Sequence, residues 1–295
     1  MDDAIWSARI SELWQQHHCR AFDVAYRLLG SVDDADDAVQ EAYLRLSSAE
    51  LEQIDDVRGW LVTVTSRLCL DRLRAHERLR RAYVGPWLPE PIVEQPAGGA
   101  DPADRATLDE SVRMALLVVL EELSPAERTS FVLHDVFGLP FDEIGQIVGR
   151  RAGACRQLAS RARRRIGASP ARFNVDSREH DAVVRRFAAA CQRGDLEGLV
   201  RVLDTDVVGD FDSGGQVAGA PLGALDGADR VARQLLGVLA RRGARFEVAS
   251  VNGQTGIVVR IADAVAAVIS LVVVDGHVVV VHGVGNPDKL NHIDP

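Results

Sequence analysis

Apolar residues at three- and four-residue steps dominate the first 80 positions. Ile10, Leu13, Trp14, Ala21, Val24 and Leu28 share one face of a helix, and Gly30 follows as a stop. Ser31 and Asp34 form a capping-box-like start. The next helix sets Val32, Ala35, Val39, Ala42 and Leu46 on its apolar side, with Asp33, Asp36, Asp37, Gln40 and Glu41 on the rest. A third helix is predicted from near Trp60 through Leu61, Val64, Leu68 and Leu73. The pattern then breaks. Pro86, Pro89, Pro91, Pro96 and Pro102, with Gly85, Gly98 and Gly99, forbid a helix across 84–104. That stretch reads as a linker, partly extended and poorly ordered unless something holds it. Helical spacing returns over 105–168, where Met114, Leu116, Leu117, Val118 and Leu120 supply apolar surface. Ser124-Pro125-Ala126-Glu127 is a strong helix start, and Gly138-Leu139-Pro140 ends that helix.

The period changes after residue 177. Helices are expected at about 178–192 and 196–203, with Gly194-Asp195 between them, and a third after Asp226. Strand-forming runs follow at Arg245–Val251, Gly256–Ile261, Ala264–Val274 and His277–Val284. Asn252-Gly253 and Asp275-Gly276 are hairpin turn pairs. Helices followed by an antiparallel meander indicate an α+β domain over 177–290. The chain is therefore multidomain: all-α at 1–83, linker at 84–104, all-α at 105–168, then α+β.

The most specific stretch is Phe141 to Ile166. With Ile144 as the fourth position of a helix-turn-helix, Gly145 is the small residue where two helices touch, and Val148 is apolar. Gly149 falls at the turn, where positive φ is needed. Cys155 and Leu158 face back to the core. Arg151, Arg156, Gln157, Ser160 and Arg161 are left on the exposed face of the second helix. Arginine and glutamine reach guanine and adenine edges in the major groove. Arg163, Arg164 and Arg165 at the helix end suit phosphate contacts.

Charge sharpens this division. The 295-residue chain has a formal net charge of −9, which taken alone argues against nucleic-acid binding. Its distribution argues the other way. Ser31 to Asp56 holds nine acids and one base, Arg45, whereas Arg150 to Arg165 holds seven arginines and no acid. Such a chain suits one surface for a basic protein and another for DNA. Lys289 is the only lysine. The four cysteines, Cys19, Cys69, Cys155 and Cys191, are far apart, so a disulfide framework or zinc site is not expected. His17-His18-Cys19 invites a metal reading, but neighbours on a helix point apart. No metal or other cofactor is expected. No apolar run suits a bilayer and the acidic start has no signal-peptide layout, so no membrane partner and a cytoplasmic location are expected.

Five motifs carry a resemblance. Leu123-Ser124-Pro125-Ala126-Glu127-Arg128-Thr129-Ser130-Phe131-Val132-Leu133, with the helix-turn-helix behind it, resembles region 4 of the extracytoplasmic-function sigma factors. Asp34-Ala35-Asp36-Asp37-Ala38-Val39-Gln40-Glu41-Ala42-Tyr43-Leu44 and Arg58-Gly59-Trp60-Leu61 through Asp71-Arg72-Leu73-Arg74 resemble their region 2. The family usually has asparagine where Arg67 stands. Trp87-Leu88-Pro89-Glu90-Pro91 and Asn286-Pro287-Asp288-Lys289-Leu290 look like signatures of a subgroup in which a SnoaL-like domain, an NTF2-like cone, is fused behind region 4. The subgroup's Asp-Gly-Gly-Gly-basic motif reads here Asp212-Ser213-Gly214-Gly215-Gln216, without the basic residue.

The resemblance implies a monomeric sigma factor and no enzyme. Asp36, Asp37, Gln40, Glu41 and Leu44 would dock on core RNA polymerase. Arg67, Asp71, Arg74, His76, Arg78, Arg80 and Arg81 would hold the melted −10 strand. Arg151, Arg156, Gln157, Ser160, Arg161 and Arg164 would bind the −35 duplex of promoter DNA. The C-terminal domain would act in place of a separate anti-sigma factor, through Trp87, Pro89, Asp212, Asn286 and Asp288. Trp87 is then either an anchor on polymerase or a plug against that domain, and the second is favoured. Two rival classes stay open: a ligand-responsive helix-turn-helix regulator, and a DNA-tethered ketosteroid-isomerase-like enzyme drawing on Asp210, Asp212, His277 or His282. No spacing ties those four together.

Overall fold

The computed structural model describes residues 3–80, 82–94, 112–167, 176–238 and 243–293, without the side chains of 3–7, 52, 78 and 79. Of the expected −10 residues, Arg81 and the side chain of Arg78 therefore lie outside the described set. Among the described residues, those of Met1–Leu79 and Val119–Ala168 form one compact unit. Those of Arg80–Gly99, Leu108–Val118 and Ser169–Pro295 form the other. The division thus gives the described part of the linker, 84–94, and residues 112–118 to the C-terminal unit, whereas the sequence pattern draws boundaries at 83 and 104.

The first unit is helical. Helix α1 (Asp3–Leu29) ends at Gly30, and α2 (Val32–Ser47) starts on Ser31, whose hydroxyl accepts from the Asp34 backbone N–H at 3.1 Å. Helix α3 (Val57–Arg80) completes the region, with Leu61, Leu68, Cys69, Leu70 and Leu73 buried. Helix α4 (Met114–Glu121) begins in the second unit. The start of α5 (Pro125–Phe131) is a full capping box between Ser124 and Glu127. It runs into a π turn, Val132–Val136, before Gly138 at φ 71°. Helices α6 (Phe141–Val148) and α7 (Ala152–Gly167) follow. Arg128, 1% exposed, locks this unit together: it pairs with Glu121 at 2.7 Å and donates to the Arg27 carbonyl at 3.3 Å.

The second unit wraps helices α8 (Ser177–Arg193), α9 (Leu196–Val202) and α10 (Ala228–Val238) against one face of a curved sheet. Its strands are β1 (Val93–Glu94), β2 (Leu203–Asp212), β3 (Leu225–Asp226), β4 (Arg245–Val251), β5 (Gln254–Ile261), β6 (Ala264–Val274) and β7 (His277–Val284). They lie in the order β1-β4-β5-β6-β7-β2-β3. Strands β4 to β7 are the expected meander, and Asn252-Gly253 and Asp275-Gly276 take the paired positive φ of tight hairpins. This is the NTF2-like cone.

Two features go beyond the sequence pattern. The sheet is mixed: β2 runs parallel to β7, with Asp210 opposite His282. Its sequence, Leu203 to Asp212, carries four acids in ten residues, at exposed, half-buried or specially paired positions, so the alternating burial was hidden by polar residues. The linker is also held. Val93 and Glu94 pair with Val251 and Ser250 as an edge strand, and Leu88 is buried beside Val251, Val258, Val268, Val284, Leu290 and Ile293 on the other face of the sheet.

Candidate functional site

The chemistry-bearing residues fall on three surfaces. On α2, burial of Ala35, Ala38, Val39, Ala42 and Leu46 turns Asp36, Asp37, Gln40 and Leu44 outward, with Glu41 half-buried. Leu44 is 63% exposed, an apolar side chain in an acidic setting. Arg72 of α3 reaches over this face: its guanidinium lies 3.8 Å from Asp34, 3.6 Å from Asp37 and 3.9 Å from Glu41, and donates to the Asp34 carbonyl at 3.0 Å. Pairing with Arg72 and Arg45 fixes part of the face.

On α3, Arg67, Asp71 and Arg74 share one exposed stripe. Arg74 donates to Asp71 at 3.2 Å. Arg67 is already engaged, donating to the Gln146 carbonyl of α6 at 3.3 Å. His76 departs from the stripe: it is half-buried, with Nδ1 3.5 Å from Asp34 of α2. Arg80, the last residue of α3, is assigned to the second unit, its guanidinium 5.1 Å from the centre of the Trp87 ring.

The helix-turn-helix is built as its glycines demand. A Cβ on Gly145 would meet the Arg150 carbonyl at 2.6 Å, and Gly149 closes α6 at φ 74°. Cys155, Leu158, Ala159 and Ala162 face the core. Arg151, Arg156, Gln157, Ser160, Arg161 and Arg164 are all exposed. Arg156 lies over the Phe141 ring at 5.2 Å, and the Phe141 ring stacks on His134 at 3.9 Å. His134 is itself fixed by Nδ1–H donating to the Leu139 carbonyl at 2.9 Å. Two of the arginines expected to suit phosphate contacts also have partners within the domain: Arg163 forks onto Asp135 at 2.6 and 3.1 Å, and Arg165 donates to the Glu122 carbonyl at 2.8 Å. Both guanidinia tie α7 to its own domain.

The third surface is internal to the second unit. Asp212, at the end of β2, is 1% exposed and takes up four donors. They are the Tyr83 hydroxyl, the Leu88 backbone N–H at 2.9 Å, the Gly214 N–H at 3.2 Å and Lys289 Nζ at 2.9 Å. Lys289, 4% exposed, also donates to the Leu88 carbonyl at 2.5 Å and stands 3.4 Å from the centre of the Trp87 ring. Trp87 in turn meets Tyr83 edge-on at 4.7 Å. Asn286 donates to the Tyr83 hydroxyl at 2.8 Å. Gln216, where the subgroup carries a base, bridges Asn286 at 3.1 Å and Asp288 at 2.8 Å. Asn252 fixes the linker further along, exchanging hydrogen bonds with the backbone of Ile92 at 2.8 and 3.1 Å. Burial and the Asp212 carboxylate push the Tyr83 phenol well above its ordinary range, so its proton stays in place as a donor. Trp87, Pro89, Asp212, Asn286 and Asp288 were expected to act together. The side chains of four of them meet in this clasp, and Pro89 is buried within the held linker.

The comparisons with known proteins bear on all three surfaces. The sequence matches the family models described as Sigma-70 region 2, over residues 13–79, and Sigma-70, region 4, over residues 113–166. It is 39% identical over 287 residues to "Probable ECF RNA polymerase sigma factor SigI" of Mycobacterium tuberculosis, covering 96% of this chain and 95% of that one. This chain belongs to the extracytoplasmic-function sigma factors. The similarity of this sigma factor to SigJ of the same species is 41% over 290 residues, covering 94% and 91%. The crystal structure of that SigJ matches at a TM-score of 0.75 and 38% identity, over 92% of this chain and 95% of the other. The likeness thus spans the helical regions, the linker and the cone.

Several residues escaped the sequence reading. Lys289 had a signal, as the only lysine in the chain, lying inside a quoted motif. Tyr83 fell at the break between helix and linker, and Asn252 was assigned only to its turn. Arg72 was hidden inside a motif read for DNA. Among the four nominated acid–base groups of the cone, Asp212 is filled by the clasp, His277 is exposed and donates to the Asp275 carbonyl at 3.0 Å, and His282 faces Asp210 at 3.7 Å. They form no common constellation. All four cysteines are free thiols, and burial pushes Cys69 and Cys191 up to about 12. No described helix is long and apolar enough to cross a membrane.

Proposed function

We propose that this sigma factor docks on core RNA polymerase through the α2 face, holds the −10 strand with the exposed α3 stripe and reads the −35 duplex with α7, and that its C-terminal cone gates these steps by holding the linker. The observation that carries the gating is the buried Asp212–Lys289 pair, which engages both backbone groups of Leu88. A linker fixed in this way is not free to thread toward the polymerase active cleft, as the resemblance implies it would. Release of the clasp is then a step on the way to initiation, carried out within one chain and needing no separate anti-sigma factor. The other two surfaces conform to the same scheme: exposed acids with Leu44 suit a basic, partly apolar docking groove, and exposed Arg156 and Gln157 suit base edges. A catalytic role for Asp212 is disfavoured because its oxygens already have their donors.

The test is run-off transcription with core enzyme and a promoter template, comparing the full-length chain with Lys289→Met, alongside a pull-down of core polymerase. Both proteins should bind core enzyme, and the variant should give more transcript at limiting sigma factor. Equal transcript from both would remove the gate. Failure of either protein to bind core enzyme would remove the docking face as well.

A further inference from the structure

The helices of the cone carry charge that the clasp does not use. Helix α8 buries Val183, Val184, Phe187, Ala188 and Cys191 in the core of the cone, which turns Arg185, Arg186 and Arg193 outward. Helix α9 buries Leu199 and Val202 and leaves Arg201 exposed. The four arginines line one open groove of about 650 Å³ between the two helices, within the second unit. Small residues such as Ala189 and Gly198 form its floor, and a Cβ on Gly198 would collide with the Asp195 carboxylate. One acid, Asp195, lines the groove. Its carboxylate caps α9, accepting from the Gly198 N–H at 2.8 Å, and Arg193 stands 3.9 Å from it. Arg201 stands 3.9 Å from exposed Glu197, and Arg186 donates to the Gly276 carbonyl at 3.1 Å. A guanidinium has five donors, so these contacts leave most of them for another acceptor.

We propose that this groove binds the phosphate backbone of duplex DNA without reading its sequence, a DNA contact outside the two sigma regions. Guanidinium forks match phosphate oxygens in shape and charge, and arginine gives up less hydration than lysine on pairing. Arg186 and Arg193 lie two turns apart on α8, about 10.5 Å, the axial length of roughly three phosphates on one strand. The low floor between them lets a rod-shaped backbone come close. A protein partner fits this surface less well: among the described residues that line it there is no aromatic or long apolar side chain to serve as an anchor. The chain as a whole carries a net charge of −9, which repels DNA, so a local cluster of arginines is what brings the cone and a duplex together. The groove and α7 belong to different units, so failure here leaves the −35 assignment intact.

The probe is a labelled duplex of scrambled sequence, titrated with the full chain across a range of potassium chloride concentrations and followed by fluorescence anisotropy. Each phosphate contact adds about 0.9 to the slope of log affinity against log salt. Arg185→Gln with Arg193→Gln should therefore lower the slope by about 1–2 and weaken binding about tenfold or more at the lowest salt. Both side chains are exposed, so the fold should survive the change. Arg230→Gln with Arg233→Gln removes the same charge from exposed positions of α10 that do not line the groove, and should leave the slope nearly unaltered. Labelled poly-L-glutamate should bind the full chain and the groove variant alike. Four results overturn the proposal: no binding of the duplex by the unaltered chain, a slope unchanged in the groove variant, an equal loss in the α10 variant, or poly-L-glutamate binding that depends on Arg185 and Arg193 as strongly as the duplex does. The last would assign the groove to an acidic protein.

Discussion

The two units of this sigma factor place their charges in opposite ways. In the first, Asp36, Asp37, Arg156 and Arg161 stand in solvent on faces whose other side is packed. In the second, Asp212 and Lys289 are almost wholly buried and satisfy each other and the linker. An exposed charge costs little to keep, with or without a neighbour in the chain, and stays open to a partner from outside. A buried one is costly unless paired, so it marks a partner already found within the chain. By this contrast, the same protein holds two outward-facing surfaces and one contact closed on itself, the one proposed to open.

The sharpest way to break the contrast is to strand one buried charge. Lys289→Met leaves Asp212 with one fewer donor and no counter-charge, at a cost of roughly 3–5 kcal/mol for a buried pair. Hydrogen exchange at the Leu88 and Ile92 amides reads this locally, since both are held by clasp side chains. Exchange at Leu88 should accelerate by more than about a hundredfold. Ile92, held by Asn252, should respond less. Unchanged protection at Leu88 would mean that Lys289 packs against the linker without holding it.

The exposed acidic face should behave otherwise. Asp37→Arg with Glu41→Arg should leave the thermal unfolding of the chain nearly unaltered, because surface pairs such as those with Arg72 contribute little, about 0–1 kcal/mol. Affinity for core polymerase should fall at least tenfold, with like charges now meeting. A variant that loses stability and keeps its affinity would invert the assignment and make this face structural.

How far the sequence showed these surfaces depended on how local each one is. The helix-turn-helix was legible because its constraints lie within 26 residues: Gly145 must be small, Gly149 must be left-handed, and Cys155 and Leu158 must face inward. The hairpins at Asn252-Gly253 and Asp275-Gly276 were legible for the same reason. The parallel strand β2 was not, because it pairs with β7 some 70 residues on, and polar side chains mask its alternation. The clasp was half legible. Its two motifs could be quoted, but the pairing of Tyr83 with Asp212 crosses 129 positions and that of Lys289 with Leu88 crosses 201. Arg163 and Arg165 show the limit of counting charges: both belong to the basic run, yet Asp135 and the Glu122 carbonyl hold them.

The finest test lies within the outward-facing class. Arg156 is exposed, but it rests on Phe141, which rests on His134, which is anchored to the Leu139 carbonyl. An arginine held in this column has fewer orientations to lose on meeting a base, so Phe141 positions Arg156 for recognition. Arg156→Ala should cost roughly 1–3 kcal/mol on the matched promoter and relax sequence preference at one position. Phe141→Leu keeps the helix start apolar and removes only the aromatic face, worth about 0.5–1 kcal/mol at an exposed site. It should lower the ratio of promoter to scrambled-sequence binding severalfold while leaving the scrambled-sequence affinity and its salt dependence unchanged. In the double variant the second loss should vanish, because Phe141 acts through Arg156. Equal weakening on both DNAs would show that Arg156 contacts phosphate, and full additivity would show that the column supports the fold and has no part in reading the sequence.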